Sequence, residues 1–138
     1  MMQLGARQQD NLDLVNRLYG HVFKGDFVSA EQYLAEDFVV SEADGLPFRG
    51  VFRGRQALGE TFRRLLHYFR DLKVEITAVT AGGDHVMGLL QMSGEAKVTG
   101  RRFSIPVVEV FRFEDGLIAE IFPVYWDTKL IAEITKGE

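Results

Sequence analysis

The stretch Arg102-Phe103-Ser104-Ile105-Pro106-Val107-Val108-Glu109-Val110-Phe111-Arg112-Phe113 alternates with a period of two. Successive strand residues point to opposite sides of a sheet. One face therefore carries Phe103, Ile105, Val107, Glu109, Phe111 and Phe113, and the other carries Arg102, Ser104, Pro106, Val108, Val110 and Arg112. The first face is apolar except for one glutamate. A carboxylate buried charged and alone is too costly to keep. Glu109 must therefore be turned outward by a β-bulge, paired with an arginine, or set facing a cavity.

The neighbouring sequence continues the pattern. Lys73–Thr80, His85–Ser93 and Leu117–Trp126 also read as strands, separated by Gly82-Gly83-Asp84, the stretch from Gly94 to Gly100, and Glu114-Asp115-Gly116, which are hairpin-type punctuation. Upstream the period changes to that of helices. Asn11 to Phe23 carries Leu12, Val15, Leu18, Tyr19, Val22 and Phe23 on one side. Gly25-Asp26 stops it, with Asp26 free to cap a short second helix from Phe27 to Leu34. Asp37 to Glu42 reads as a strand and Phe48 to Phe52 as a short hairpin arm. A third helix is expected from Arg55 to Phe69, with Leu58, Phe62, Leu65, Leu66 and Phe69 as its buried stripe, and Asp127 to Thr135 as a capped helical turn.

Helices first and strands afterwards predict an α+β fold, with a curved, mostly antiparallel sheet packed on one face by helices. In that packing Leu58, Phe62, Leu65, Phe103, Val107 and Phe111 are expected in shared contact. The 138 residues suit one domain over 1–138. Sixteen Lys+Arg against twenty Asp+Glu give a mildly acidic chain without a basic block, which disfavours nucleic acid as a partner. The chain has no cysteine, which excludes disulfides, thiolate metal sites and cysteine nucleophiles. It has no apolar run of membrane-spanning length and no secretory signal in its first ten residues. These features predict a cytoplasmic protein with no membrane association. His21, His67 and His85 are scattered, never at metal-ligand spacing, so no metal and no cofactor are expected. The pairs Arg63-Arg64 and Arg101-Arg102 read as solvated faces.

A second carboxylate has the same character as Glu109. In the Asp37–Glu42 strand, Phe38, Val40 and Glu42 share one side. Glu42 is either exposed at a strand end or turned into the same apolar space as Glu109. In the second case desolvation raises the pKa, so that one carboxyl can donate a hydrogen bond or a proton while the other serves as a base.

Several of these segments are shared with a known family. Gly25-Asp26, Tyr33-Leu34-Ala35-Glu36-Asp37-Phe38, Gly54-Arg55-Gln56-Ala57-Leu58 and Phe111-Arg112-Phe113-Glu114-Asp115-Gly116-Leu117-Ile118, in that order, resemble the nuclear transport factor 2-like superfamily, in its SnoaL-like, ketosteroid isomerase-related branch. The resemblance implies a cone-shaped roll, a strongly bent sheet wrapped around three N-terminal helices, with an apolar pocket at one end and homodimers through the outer sheet face. It places Glu42 where the isomerases keep their catalytic aspartate base. It places Glu109 where they keep the protonated aspartate that donates to the enolate oxygen. Counting back from Gly25-Asp26, the position of their oxyanion-hole tyrosine falls on Leu18, with Tyr19 about 100° around the helix. The acid that the cyclase branch keeps in its last strand is replaced by Pro123, and Asp127 is expected to cap the C-terminal turn.

Two readings follow. In the first, the chain is a pocket protein of the isomerase or cyclase type, using carboxylate acid–base catalysis next to a carbonyl of a small apolar substrate. Glu42 is then the base, Glu109 the hydrogen-bond donor, and Tyr19, Phe38, Val40, Phe62, Val107, Ile121 and Tyr125 the substrate-binding wall. In the second, the chain is a non-catalytic domain of the same fold that binds a small apolar ligand or dimerises.

Overall fold

The computed structural model describes residues 4–136, so the outermost residues of the 1–138 assignment, 1–3 and 137–138, lie outside the described residues. The chain runs α1 (Ala6–Phe23), α2 (Phe27–Ala30), a 3-10 turn (Glu31–Tyr33), β1 (Leu34–Glu42), β2 (Gly50–Arg53), α3 (Ala57–Tyr68), β3 (Phe69–Gly82), β4 (His85–Ala96), β5 (Arg102–Glu114), β6 (Leu117–Tyr125) and α4 (Thr128–Ile134). The six strands form one sheet in the order β2-β1-β6-β5-β4-β3. All pairs are antiparallel except β1 with β6, which is parallel. This is the expected α+β cone, with a fourth helix at its C-terminal end. Among the described residues no helix is long and apolar enough to cross a membrane.

The turn chemistry explains why the elements stop where they do. Gly25 adopts a left-handed φ of 74°. Its N–H donates to the Val22 carbonyl and the Asp26 N–H to the His21 carbonyl, the paired bonds that close a helix C-terminus. The Asp26 side chain then accepts from the Ser29 N–H at 3.0 Å and starts α2. Asp115 and Gly116 both have positive φ (50° and 78°), the requirement of a two-residue hairpin turn that matches strand twist. Asp127 caps α4 by accepting from the Leu130 N–H, as expected.

Several boundaries differ from the sequence expectation, each for a local reason. α1 begins at Ala6 rather than Asn11 because Gln8 and Arg7 reach the β3–β4 turn, bonding Gly83 and Asp84. These polar contacts leave no apolar period to read. Leu34 belongs to β1, not to a longer α2; it is fully buried and stands beside Ile118. Phe69 opens β3 rather than closing α3, and Asp71 takes a positive φ of 53° where the β3–β4 register slips. Such slips bend a long strand and sharpen its twist. Leu66 is 43% exposed and does not belong to the buried stripe.

The apolar interior divides in two. Val15, Leu18, Phe38, Phe111 and Ile118 form one cluster under α1. Phe48, Phe69, Phe103, Tyr125 and Ile131 form another toward α4. The expected single network of Leu58, Phe62, Leu65, Phe103, Val107 and Phe111 is therefore not formed. Phe111 and Leu58 belong with the first cluster, and Phe103, Val107 and Leu65 with the second.

Phe38 is fully buried in the first cluster, so Phe38→Ala should cost about 3–5 kcal/mol of stability through the cavity it opens. Leu66→Ala, on the outer side of α3, should cost less than about 1 kcal/mol. Urea denaturation of the two variants measures both; a Leu66 effect as large as that of Phe38 would contradict this burial.

Candidate active site

β5 carries Glu109 inward because its ladder is unbroken at that point: Glu109 stands opposite Gly88 on β4 and Pro123 on β6. No bulge turns it out. Its partner is not an arginine either, because the Tyr19 hydroxyl on α1 donates to Glu109 Oε1 at 2.9 Å. Tyr19 is held by Phe111, edge-on at 5.6 Å, and by Phe23, stacked at 6.0 Å. Glu42, the last residue of β1, also turns inward. It is 6% exposed, and its Oε2 is buried with no hydrogen-bond partner.

Both carboxyls face one cavity of about 360 Å³, near the lower end of the ~300–1,000 Å³ usual for ligand pockets. Of the residues that sequence reasoning placed in its wall, Tyr19, Val40, Phe62, Val107, Ile121 and Tyr125 line it together with Glu42 and Glu109. Phe38 does not. It shares the parity of Val40 and Glu42 but packs in the first apolar cluster. Pro123, where a cyclase acid would stand, also lines the cavity. Leu18, the residue reached by counting from Gly25-Asp26, is 2% exposed in the core. The tyrosine that meets Glu109 is Tyr19, one position on. It shares a stripe with Val15 and Phe23, four residues to either side, and that helical phase was the available signal.

The electrostatics follow from burial. Desolvation raises the Glu109 pKa, and the Tyr19 hydrogen bond opposes that rise. Glu42 is pushed from 4.5 to about 8, first by desolvation and then by repulsion from Glu109, while Arg64 pulls it back down. Tyr19 and Tyr125 are both pushed well above the usual phenol value by burial, with Glu109 adding to both and Glu42 adding to Tyr125. In this apolar space Glu42 holds at neutral pH a proton that water would remove, and burial shifts Glu109 in the same direction. With Oε1 accepting from Tyr19, a protonated Glu109 would have its own O–H left for a ligand.

Sequence reasoning missed Gly88 and Thr61. A Cβ at Gly88 would collide with the Tyr19 hydroxyl oxygen. The missing side chain opposite Glu109 is thus the space through which Tyr19 reaches it. Thr61 lines the cavity from α3 with a buried hydroxyl that has no partner. Among the described residues no group of three or more His, Cys, Asp or Glu side chains is placed to hold a metal ion.

Over residues 15–121 the sequence matches the SnoaL-like domain. The chain belongs to that family. Its fold is shared with an NTF2-like protein from Burkholderia thailandensis, at 25% identity and a TM-score of 0.82, covering 92% of this chain and 98% of that one. A protein described as a candidate SnoaL-like polyketide cyclase from Jannaschia gives 17% identity and a TM-score of 0.80, with 100% of both chains covered. TerC, co-crystallised with polyporic acid, gives 14% and 0.77, covering 91% of this chain and 98% of that one. No curated protein matches the chain. This SnoaL-like chain thus sits within the NTF2-like superfamily, with the cone built as its relatives build it.

Two outcomes test the site. Because the Tyr19 bond lowers the Glu109 pKa, Tyr19→Phe and Gly88→Ala should each move the Glu109 titration to higher pH. Gly88→Ala placed on Tyr19→Phe should add little, since the colliding hydroxyl is gone. Carboxyl-carbon NMR reads this directly, and additive shifts would refute the role of Gly88. Glu42, ionised in the unfolded chain above about pH 4.5 but neutral in the fold up to about 8, makes stability fall as pH rises through that window. Glu42→Gln should accordingly melt higher than the parent at pH 8 and alike at pH 4.

Proposed function

We propose that the cavity of this SnoaL-like chain catalyses proton transfer next to the carbonyl of a small apolar substrate, in the manner of an isomerase or cyclase. The observation that carries the reading is two desolvated carboxyls on one apolar cavity, one of them held by a tyrosine hydroxyl at 2.9 Å. Glu42, with an unpartnered buried oxygen, takes the proton from the carbon beside the carbonyl. The carbonyl oxygen gains negative charge as the C–H bond breaks. Neutral Glu109 donates a hydrogen bond to it, with its own orientation fixed by Tyr19. A preset donor aimed at developing charge in a low-dielectric site is among the strongest catalytic devices available to a protein. Glu42 then returns the proton to another carbon of the enolate, or the enolate carbon attacks a second carbonyl of the same substrate, whose C=O π bond opens to an alkoxide that takes the proton back from Glu42. The similar fold of a protein co-crystallised with polyporic acid supports a carbonyl-bearing small molecule as the ligand class.

A raised base is well matched to carbon acids, because proton-transfer rates grow with base strength. It must be ionised to act. The reaction should therefore speed up as pH rises through about 8, the value for Glu42.

The chain is also proposed to act as a homodimer through the outer sheet face. There Leu89, Val108 and Val124 stand opposite one another across three strands, and Leu89 and Val124 are 41% and 52% exposed. Apolar rows of this kind are rarely left facing water.

Exchange of carbon-bound protons with heavy water, followed by NMR over a panel of small cyclic ketones, tests the chemistry even while the natural substrate is unidentified. Glu42→Gln should lower exchange by about 10²–10⁴-fold with ligand binding kept. Glu109→Gln should keep most of the binding and part of the rate, since its amide still donates. Equal and small losses from both would leave a cavity that binds without catalysis. Light scattering at micromolar concentration should give twice 15.6 kDa, and Val124→Glu should reduce it to that single mass.

A further inference from the structure

α3 has a second working side. Leu58, Thr61, Phe62 and Leu65 turn to the main cavity. Arg64, His67 and Tyr68 line a separate cleft of about 320 Å³, whose other wall is Pro47, Phe48, Arg49 and Phe52. The two spaces share no lining residue. The proposed reaction makes no use of this cleft, and Arg63-Arg64 reads from sequence as a solvated pair.

The structure treats Arg64 differently. Its guanidinium carbon lies 3.6 Å from the centre of the Phe52 ring, and its Nη1 is buried with no hydrogen-bond partner. A buried, charged donor left unpaired is costly. Stacking on an aromatic face fixes the guanidinium plane and leaves the Nε and Nη2 edge, rather than the buried Nη1, for a planar two-oxygen acceptor. The cleft contains no such acceptor of its own: none of its lining residues is acidic, and neither Arg49 nor Arg64 takes part in an ion pair among the described residues. The rest of the wall is Pro47 and the rings of Phe48, Phe52, His67 and Tyr68. Phe48 and Tyr68 are in contact at 5.9 Å, and the Tyr68 hydroxyl is tied to the Pro47 carbonyl at 3.4 Å.

We propose that this cleft is a binding site for a small aromatic carboxylate, held edge-on by Arg64 and Arg49 with its ring against Phe48 and Tyr68. Two oxygens fixed on a flat ring fit the guanidinium edge, and the ring fits the apolar wall. The site also communicates with the cavity across α3. Arg64 acts electrostatically on Glu42, favouring its ionised form. A carboxylate that neutralises Arg64 removes that support, so an occupied cleft makes Glu42 harder to ionise. This second consequence rests on the proposed role of Glu42; the binding itself does not.

Amide NMR titration of the full chain with benzoate, and with neutral benzamide as its control, tests the site. Benzoate should shift the amides of 47–52 and 64–68. Benzamide should bind at least about tenfold more weakly, as expected for loss of a charge-assisted pair. Arg64→Gln should weaken benzoate by at least about the same factor, Arg64→Lys should recover only part of it for want of a planar fork, and Arg49→Gln should weaken it less. The spectra themselves show whether each variant is folded, and the benzamide comparison needs no variant at all. Benzoate that binds Arg64→Gln as well as the parent, benzamide that binds as well as benzoate, or shifts confined to main-cavity residues would each overturn the proposal. Saturating benzoate should in addition move the Glu42 titration to higher pH. Because no cleft residue takes part in proton transfer, failure of binding here leaves the cavity chemistry standing, and an inert cavity leaves the cleft standing.

Discussion

A carboxyl in the middle of an apolar strand face needs either a partner or open space, and Glu109 has one of each. The Tyr19 hydroxyl donates to one oxygen at 2.9 Å, and the side chain lines the cavity. Close packing would otherwise be expected in this interior. The division of the core into two clusters is the structural expression of that arrangement, because side chains that would meet in a solid core stand instead on opposite walls.

The surrounding frame keeps that space open. α1 delivers Tyr19 because Val15 and Leu18 anchor the helix in the core beside it. β4 gives way at Gly88, where any side chain would stand in the path of the tyrosine hydroxyl. α3 forms the remaining wall, with Phe62 resting on Phe27 at 5.2 Å. The short α2 is thereby a prop for the cavity as well as a connection. Strands bent by register slips in β3 and between β5 and β6 wrap around these helices.

Charge is distributed in keeping with the same frame. The polar pairs of the sheet, such as Arg112 with Glu114 and Glu120 and Ser41 with Glu120, lie on the outer side, away from the cavity. Lys73 also lines the cavity, while the two carboxyls and two phenols there are all shifted toward their neutral forms. Pro123, where the resemblance would place a cyclase acid, adds apolar surface to the cavity, so the proposed acid–base chemistry rests on Glu42 and Glu109. Arg64 is a cation that acts on Glu42, and it does so from the side of α3 that lines the second cleft.

The strands, their faces and the two carboxylates were legible in the sequence because strand parity is a local property. A glutamate among Ile105, Val107, Phe111 and Phe113 declares its side of the sheet whatever the rest of the chain does. The Gly25-Asp26 and Asp115-Gly116 turns were equally local, since their backbone angles favour those residue types. The sequence could not say which of bulge, arginine or cavity resolved the position of Glu109. That answer depends on Gly88 and Tyr19, residues brought opposite it from β4 and α1. Phe38 shows the same limit. Its parity is that of Val40 and Glu42, but depth along the sheet, a tertiary quantity, puts it in the core instead of the cavity wall. Arg64 reads as a solvated charge until Phe52, twelve residues earlier, is folded beneath it. Local spacing determines which way a side chain points; what it meets there is set by segments distant in sequence, packed together by the burial of the whole.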